Sequence, residues 1–583
     1  MPTTPTTPAL SVDLAIETLT IDFLDKLDPA QRDDATFIAG QITDYANLAI
    51  QRFNGAQDKL AQHNAARQNA NGQNTSQQKS PSKPSKLQTV GNPTVSQLAV
   101  CLVRLHNVVR IDEGSASDFA QLAVYMANGP LQGTYSTDEA DIRRIARRYR
   151  PALSRALMGD LIHELLDRAP AVKACSDRDL IAVNNGILDY RTKELLPFTP
   201  EVVLLSKSPV DWVPDARPPV IHNDDDGTDW TLDECFEELA TIPDGDGGVV
   251  DSSVVATLWQ IVAAVVRPLV NWNKAAFLFS TTGNNGKGTY CQLLRGITGR
   301  AATNIPLADL GKEFYLESLA SHSAIIADEN DVGVFLDKVG NLKALVTQDM
   351  ILVNRKNKIP IALRWRGFMV QCLNSLPESK DKSESFYRRQ LFVPFRNRFE
   401  GVERQYIKGD YLTRKEVLEY ALFKALSMPA FYKIDTPDAS HYLMSQYQLA
   451  NDNVREFWAE FADEFIWDIV PNAFLHDLYV AWMTRVNPSG RPLGRNRFLA
   501  SLRELISDPG QNWTAPLGVD GSPLKLRVRD AMDAPEFLID DYNLESWMPP
   551  GYTNGHDRKK RCTTPTQIFT RGIVRKTIPI CPW

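Results

Sequence analysis

The chain has 583 residues, 43% hydrophobic and 23% charged, a balance typical of folded globular proteins and too long for one core; at ~150 residues per domain, about four are expected. No run approaches the ~20 apolar residues that cross a bilayer, so no membrane contact is predicted. A formal net charge of −7 means that any nucleic-acid contact must come from local basic patches.

The start, MPTTPTTPALSVDLAIETL, has no basic leader followed by an apolar stretch. Seven cysteines are scattered without C-x-x-C or Cys/His clusters, which argues for reduced thiols, a cytoplasmic setting and no structural zinc. Residues 1–62 place apolar side chains at three-to-four spacing and are predicted helical. Residues 63–94 are rich in Asn, Gln, Ser and Pro and are expected to be a flexible, solvated linker carrying Arg67, Lys79, Lys83 and Lys86. Helical patterns dominate 95–215, with a β-hairpin expected at Asn185-Gly186. The acidic, Gly-rich stretch 216–252 lacks the register of a Ca²⁺ loop and is expected to be a solvated insertion. Strands and helices alternate over 253–445, as in an α/β nucleotide-binding domain, and 446–583 is predicted to be a small separate domain. The fold class is multidomain α/β and α.

The stretch AAFLFSTTGNNGKGTYCQLL (Ala275–Leu294) reads as an apolar strand, a Gly/Asn loop and a helix start. A phosphate-cradling loop needs small residues for close backbone approach, N–H groups converging on phosphate oxygens, and a lysine. Gly283, Asn284, Asn285, Gly286 and Gly288 supply the loop, Lys287 the charge, and Thr289 the nearest hydroxyl for Mg²⁺. Two departures from G-x-x-x-x-G-K-[ST] stand out: Thr281 replaces the first glycine, and Gly288 the usual hydroxyl residue. Downstream, SAIIADEND is an apolar strand ending in Asp328 and Glu329, which suit holding Mg²⁺ and polarising a water. RGFMVQCLNSLPE is a second such strand, ending in Asn374, a side chain fit to orient a water or sense the γ-phosphate. SFYRRQLFVPF sets Arg388 and Arg389 before a third; an arginine that neutralises transition-state charge is worth ~10³–10⁵ in rate and can come from a neighbouring subunit.

This order of motifs resembles superfamily 3 helicases, and more closely their phage, plasmid and poxvirus primase-helicase branch. NGKGT, LNSLP and YRRQLFVPF resemble that branch's motifs, and NNGILDYRTKELLPFTP its hairpin in the preceding collar domain. The resemblance implies an AAA+-like P-loop core at 253–445, ATP–Mg²⁺ on Lys287 and Thr289, Asp328 and Glu329 as the acidic motif, Asn374 as sensor, and Arg389 ahead of Arg388 as the finger. It implies a hexamer, DNA as partner and 3′-to-5′ movement, in replication of a phage, plasmid or integrated element. ILVNRKNKIPIALRWR alternates about a turn at Lys356-Asn357-Lys358 and reads as a β-hairpin carrying Arg355, Lys356 and Lys358; the resemblance places such a hairpin in a central pore against single-stranded DNA. The tail, with Arg495 and Arg497 on a second helix and a basic last strand, resembles a winged-helix domain for duplex DNA. The N-terminal helices are expected to dock a separate primase or initiator. His322, Trp365, Cys291 and Cys372 are expected to be structural. Two alternatives stay open: a cryptic priming activity, against which stands the lack of a paired-acid strand in 1–212, and an ATP-dependent DNA-binding initiator or defence scaffold that does not unwind.

Overall fold

Apolar spacing in the first seventy residues becomes helices α1 (Val12–Asp25) and α2 (Ala35–Ala70), which pack against α3 (Val95–His106). The computed structural model describes residues 12–70, 86–112, 120–222, 227–244, 248–356, 358–399, 405–488, 490–553, 556–564 and 568–577. The chain forms two units, Met1–Pro377 with Arg388–Ser440, and Glu378–Tyr387 with His441–Trp583.

Helix α3 begins at a capping box in which Thr94 and Gln97 each accept the other's backbone N–H. The Gln97 side chain is fully buried, and its amide donates to Thr20 Oγ1 (2.9 Å) and the Ile42 carbonyl (2.6 Å). Around it Leu24, Ile38, Ile42, Leu98 and Leu102 form one core. No boundary is seen at residue 62, because α2 runs on to Ala70. Ala, Gln and Arg propagate a helix already nucleated, even with nothing to bury. The far end of the expected linker is also anchored: Asn54 and Asn47 each exchange two hydrogen bonds with the backbones of Leu87 and Val90. Residues 71–85, with Lys79 and Lys83, lie outside the described residues, as does the Arg67 side chain.

The region expected to be helical also holds a sheet in the order β3-β2-β1-β4, from β1 (Val108–Ile111), β2 (Gln121–Tyr125), β3 (Tyr135–Ser136) and β4 (Ala171–Val172). Helices α4 (Glu139–Tyr149) and α5 (Arg155–Arg168) share its core. Strands of two to five residues are too short for periodicity to reveal. The expected hairpin is present, β5 (Leu180–Val183) against β6 (Gly186–Asp189), with β7 (Leu195–Leu196) beside it. Its turn is Asn184-Asn185, one residue early, and Gly186 pairs with Val183.

The stretch 216–252 is not a solvated insertion. Beside the short ladders β8 (Ile221–His222) with β9 (Asp229–Trp230) and β10 (Thr241–Ile242) with β11 (Val249–Val250), it forms α6 (Leu232–Leu239). Leu232, Cys235, Phe236 and Leu239 of α6 are buried in the largest core, where Phe236 stacks on Trp259 at 4.1 Å. The surrounding acids obscure a helical i, i+3, i+4, i+7 pattern.

Helix α7 (Ser252–Val266), apolar on nearly every side, leads into a sheet buried on both faces. Its members are β12 (Ala275–Phe279), β13 (Ala302–Thr303), β14 (Ala324–Ala327) and, later, β18 (Phe368–Leu373) and Gln390–Pro394. All pairings are parallel, in the order β13-β14-β18-β12 and then Gln390–Pro394. Parallel neighbours need crossover connections: α8 (Lys287–Thr298) follows β12, while β15 (Phe335–Leu336), α9 (Gly340–Thr347) and the antiparallel hairpin β16 (Met350–Arg355) and β17 (Lys358–Arg364) lie between β14 and β18. Among the described residues no helix is long and apolar enough to cross a membrane.

The second unit has its own aromatic core, including Phe457, Trp467, Trp482 and Trp513. Helices Asn472–Val486 and Arg495–Ile506 sit beside a three-stranded sheet in which Gly572–Arg575 is central. The unit begins at His441 and takes in Glu378–Tyr387, so the expected division at 445/446 lies five residues inside it.

Candidate functional site

Strand β12 is fully buried from Ala275 to Leu278 and gives way to a loop in which Asn284 (φ +51°) and Gly286 (φ +82°) take left-handed conformations. Gly286 is required twice over, since a Cβ there would stand 2.1 Å from Leu239 Cδ2. The Phe399 N–H donates to the Asn284 carbonyl (2.8 Å) and pins the loop from outside. Asn285 is buried, its amide donating to the Thr282 carbonyl and its oxygen accepting from the Lys287 N–H. Helix α8 opens at Lys287, so the N–H groups of Gly288 and Thr289, with the partial positive charge of a helix start, have no intrahelical carbonyl to meet.

Lys287 is buried, and its ammonium donates to Asn374 Oδ1 (2.8 Å), the Leu373 carbonyl (3.2 Å) and the Ser280 carbonyl (3.3 Å). Desolvation lowers its pKa below the ordinary lysine value. The lysine thus spans the carboxyl ends of β12 and β18. Asp328 stands at the carboxyl end of β14, on the far side of β18. Arg295 of α8 grips it with both terminal nitrogens, at 2.8 and 2.9 Å. That pairing holds the Asp328 carboxyl below the usual carboxylate range and raises the arginine. Asn330 secures the following turn: its amide donates to Gln371 Oε1 and the Cys372 carbonyl, and its oxygen accepts from the Leu307 N–H. Glu329 is exposed.

A cavity of about 480 Å³ opens over the loop. Leu239, Phe399 and Ile407 supply an apolar wall, and Thr289 and Lys408 polar groups. Lys408, on the short helix Gln405–Gly409, brings its ammonium within 3.1 Å of where a Cβ on Gly288 would stand. Cationic groups and helix-start N–H donors fit a polyphosphate; the Thr289 hydroxyl and the Asp328 carboxylate are oxygen donors of the kind Mg²⁺ takes.

The other expected residues lie elsewhere. Gln390 pairs with Ala275 and Pro394 with Phe279, so Arg388 and Arg389 sit at the amino end of the sheet, about 13 Å along the strand from the loop. Arg388 is exposed and Arg389 half-buried. Neither reaches the loop of its own chain. In the hairpin, Arg355 pairs with Glu139 (3.6 Å) and Lys356 is exposed; Asn357 and the Lys358 side chain lie outside the described residues. Arg495 and Arg497 are exposed on their helix in the second unit. Trp365 is buried and donates to the His322 carbonyl (2.7 Å), and the thiols of buried Cys291 and Cys372 touch at 3.3 Å.

Arg295, Asn330, Lys408 and α6 escaped the sequence reading. Arg295 had a signal: it follows Lys287 and Cys291 at steps of four along one helix face. Lys408 and Leu239 had none, because distant segments bring them to the loop.

Three family models match parts of the chain: a family of unknown function (DUF5906) over residues 278–389, a Poxvirus D5 protein-like model over 449–542, and a D5 N terminal like model over 105–237. No curated protein matches. Among solved structures, two A-form apo structures of the NrS-1 C-terminal region are 14% identical, with TM-scores of 0.38 and 0.37; the matches cover 74% and 79% of this chain and 98% and 95% of theirs. A further apo structure of that region is 13% identical with a TM-score of 0.36, covering 71% of this chain and 94% of its own. The two D5-type models match on either side of the lysine loop and the acidic strand, so both flanks of that core are similar to D5-type proteins.

Proposed function

We propose that the chain is an ATP-dependent DNA helicase of superfamily 3, working as a ring, expected to be a hexamer, in replication of a phage, plasmid or integrated element. The observation that carries this reading is the contact of Lys287 with Asn374, at the carboxyl ends of adjacent parallel strands, with Asp328 at the end of the next. Ligands of such sheets bind outside the carboxyl ends of the strands, where the chain order reverses. Here it reverses at β12, which lies between β18 and Gln390–Pro394; that order supports an AAA+-like P-loop core.

ATP would lie in the cavity over Gly283–Thr289, with Lys287 turned to its phosphates and Mg²⁺ on Thr289 and Asp328. Mg²⁺ supplies charge neutralisation when bound. Glu329 would draw a proton from the water that attacks the γ-phosphorus, Asn374 would orient that water, and the β–γ bridging P–O bond would break to release ADP and phosphate. The distance of Arg389 from its own loop supports its acting on the ATP of a neighbouring subunit. Hydrolysis would then shift subunits and move Arg355, Lys356 and Lys358 along single-stranded DNA in the 3′-to-5′ direction. The helix–helix–sheet arrangement of the second unit supports a winged helix, with Arg495 and Arg497 set for duplex DNA.

The test is ATP hydrolysis with and without DNA, beside displacement of a strand from a 3′-tailed fork. Lys287→Ala and Arg389→Ala each abolish hydrolysis, but mixing the two variants restores part of it, because a mixed interface pairs an intact lysine with an intact arginine. Hydrolysis without strand displacement, or no recovery on mixing, overturns the reading.

A further inference from the structure

A second cavity, of about 1150 Å³, lies away from the lysine loop, between α4, α5 and the end of β16 at Arg355 and Lys356. Five cationic side chains line it: Arg143 and Arg147 from α4, Arg155 from the start of α5, and Arg355 and Lys356 from the hairpin. One lining acid, Glu139, answers them, and it is engaged with Arg355. Five positive charges against one negative leave four in excess. Arg143, Arg147 and Arg155 are exposed and have no acidic partner among the described residues. Their helix neighbours are engaged, Arg144 with the Asp141 carboxylate (2.6 Å) and Arg148 with the Asp33 carbonyl (3.0 Å).

Like charges one turn apart, as in Arg143 and Arg147, repel each other, and an anion seated on them relieves that repulsion. Between the cations the cavity is apolar, with Met158, Ile162 and Leu166 along α5. A cationic rim over an apolar surface suits an anionic chain that also has flat apolar faces to set down. A nucleic-acid single strand is such a chain, its phosphates on the rim and its unstacked bases inside. A duplex keeps its bases stacked and offers phosphates alone.

We propose that this cleft is a binding site for single-stranded nucleic acid, in which α4 and α5 hold the strand from one side and Arg355 and Lys356 from the other. It rests on the helicase reading only in sharing the hairpin cations, and it needs no nucleotide.

The test uses the full chain, without ATP, and anisotropy of labelled oligo-dT, oligo-U and duplex over a salt series. Each phosphate contact to a single strand contributes about 0.7 to the slope of log affinity against log salt. Arg143→Ala/Arg147→Ala therefore flattens that slope by about 1.4 and weakens oligo-dT binding by at least about tenfold. Arg155→Ala, on the other helix, flattens it by about 0.7. Arg144→Ala/Arg148→Ala, which removes the same charge outside the cleft, leaves binding unchanged. Thermal melting confirms that each variant is folded. Unchanged binding in the cleft variants, equal loss in the control pair, or duplex bound in preference to either single strand overturns the proposal; tighter binding of oligo-dT or of oligo-U upholds it and assigns the sugar. DNA-independent ATP hydrolysis persists in the cleft variants, so loss of strand binding there and loss of hydrolysis in Lys287→Ala report separately on the two proposals.

Discussion

Arg295 holds Asp328 through two hydrogen bonds, and so ties the helix that begins at Lys287 to the strand that carries the acidic pair. The carboxylate's stabilising share is present above its unfolded value of 3.8 and is lost as pH falls through the lowered folded one. The pair is too exposed for a large effect on stability, about 1 kcal/mol at most. Its expected consequence is functional. Arg295→Ala lowers ATP turnover by at least about tenfold, equivalent to ~1.4 kcal/mol in the barrier, while urea denaturation shows almost unchanged stability. Arg295→Lys restores charge but not the two-pronged grip, and turnover stays low.

Lys408 faces the position where most phosphate loops carry a hydroxyl residue, and a side chain there would crowd its ammonium. Lys408→Ala is expected to weaken binding of an ATP analogue by roughly tenfold at low salt, and less at high salt as screening grows. Gly288→Ser weakens it in the same direction by displacing that lysine. Calorimetry at two salt concentrations checks both.

Helix α6 is predicted to be essential to the loop's shape. Phe236→Ala empties a site against Trp259 and Tyr290, at an expected cost of about 3–5 kcal/mol in urea unfolding. Gly286→Ala forces a left-handed residue and a collision with Leu239. It should abolish analogue binding in a chain that still folds.

His106 sets a pH limit. Its ring nitrogen lies 2.8 Å from the Tyr149 hydroxyl, and burial, aided by the charge of Arg148, lowers its pKa from 6.5 to about 4. The unfolded chain takes up this proton near pH 6.5, the folded one only near pH 4. Stability therefore falls as pH drops through that window, by up to about 3 kcal/mol at 1.36 kcal/mol per unit. His106→Gln flattens the dependence of the urea midpoint over the same range.

The meeting of the lysine loop with Asn374 at the strand ends was legible because its parts are local. A strand that ends in a lysine loop, in Asp328 or in Asn374 is written in a short consecutive stretch each, and parallel pairing aligns those ends. What was hidden depends on distance or brevity. Lys408 and Leu239 arrive from other segments, and β1–β4 are too short for alternation to register. Composition misled twice: polar residues carried α2 past residue 62, and acids masked the buried face of α6. The arginine pair was visible, but its place at the opposite end of the sheet was not, since that follows from the register of Gln390 against Ala275.

The amide of Gln97 also bears on how this protein can be cut. Because it is sealed between residues contributed by α1 and α2, trimming the chain to the start of α3 would bare an oily seam with a stranded polar group in its middle. A shortened version begun there should clump on expression, whereas one begun at Val12 keeps the seam closed.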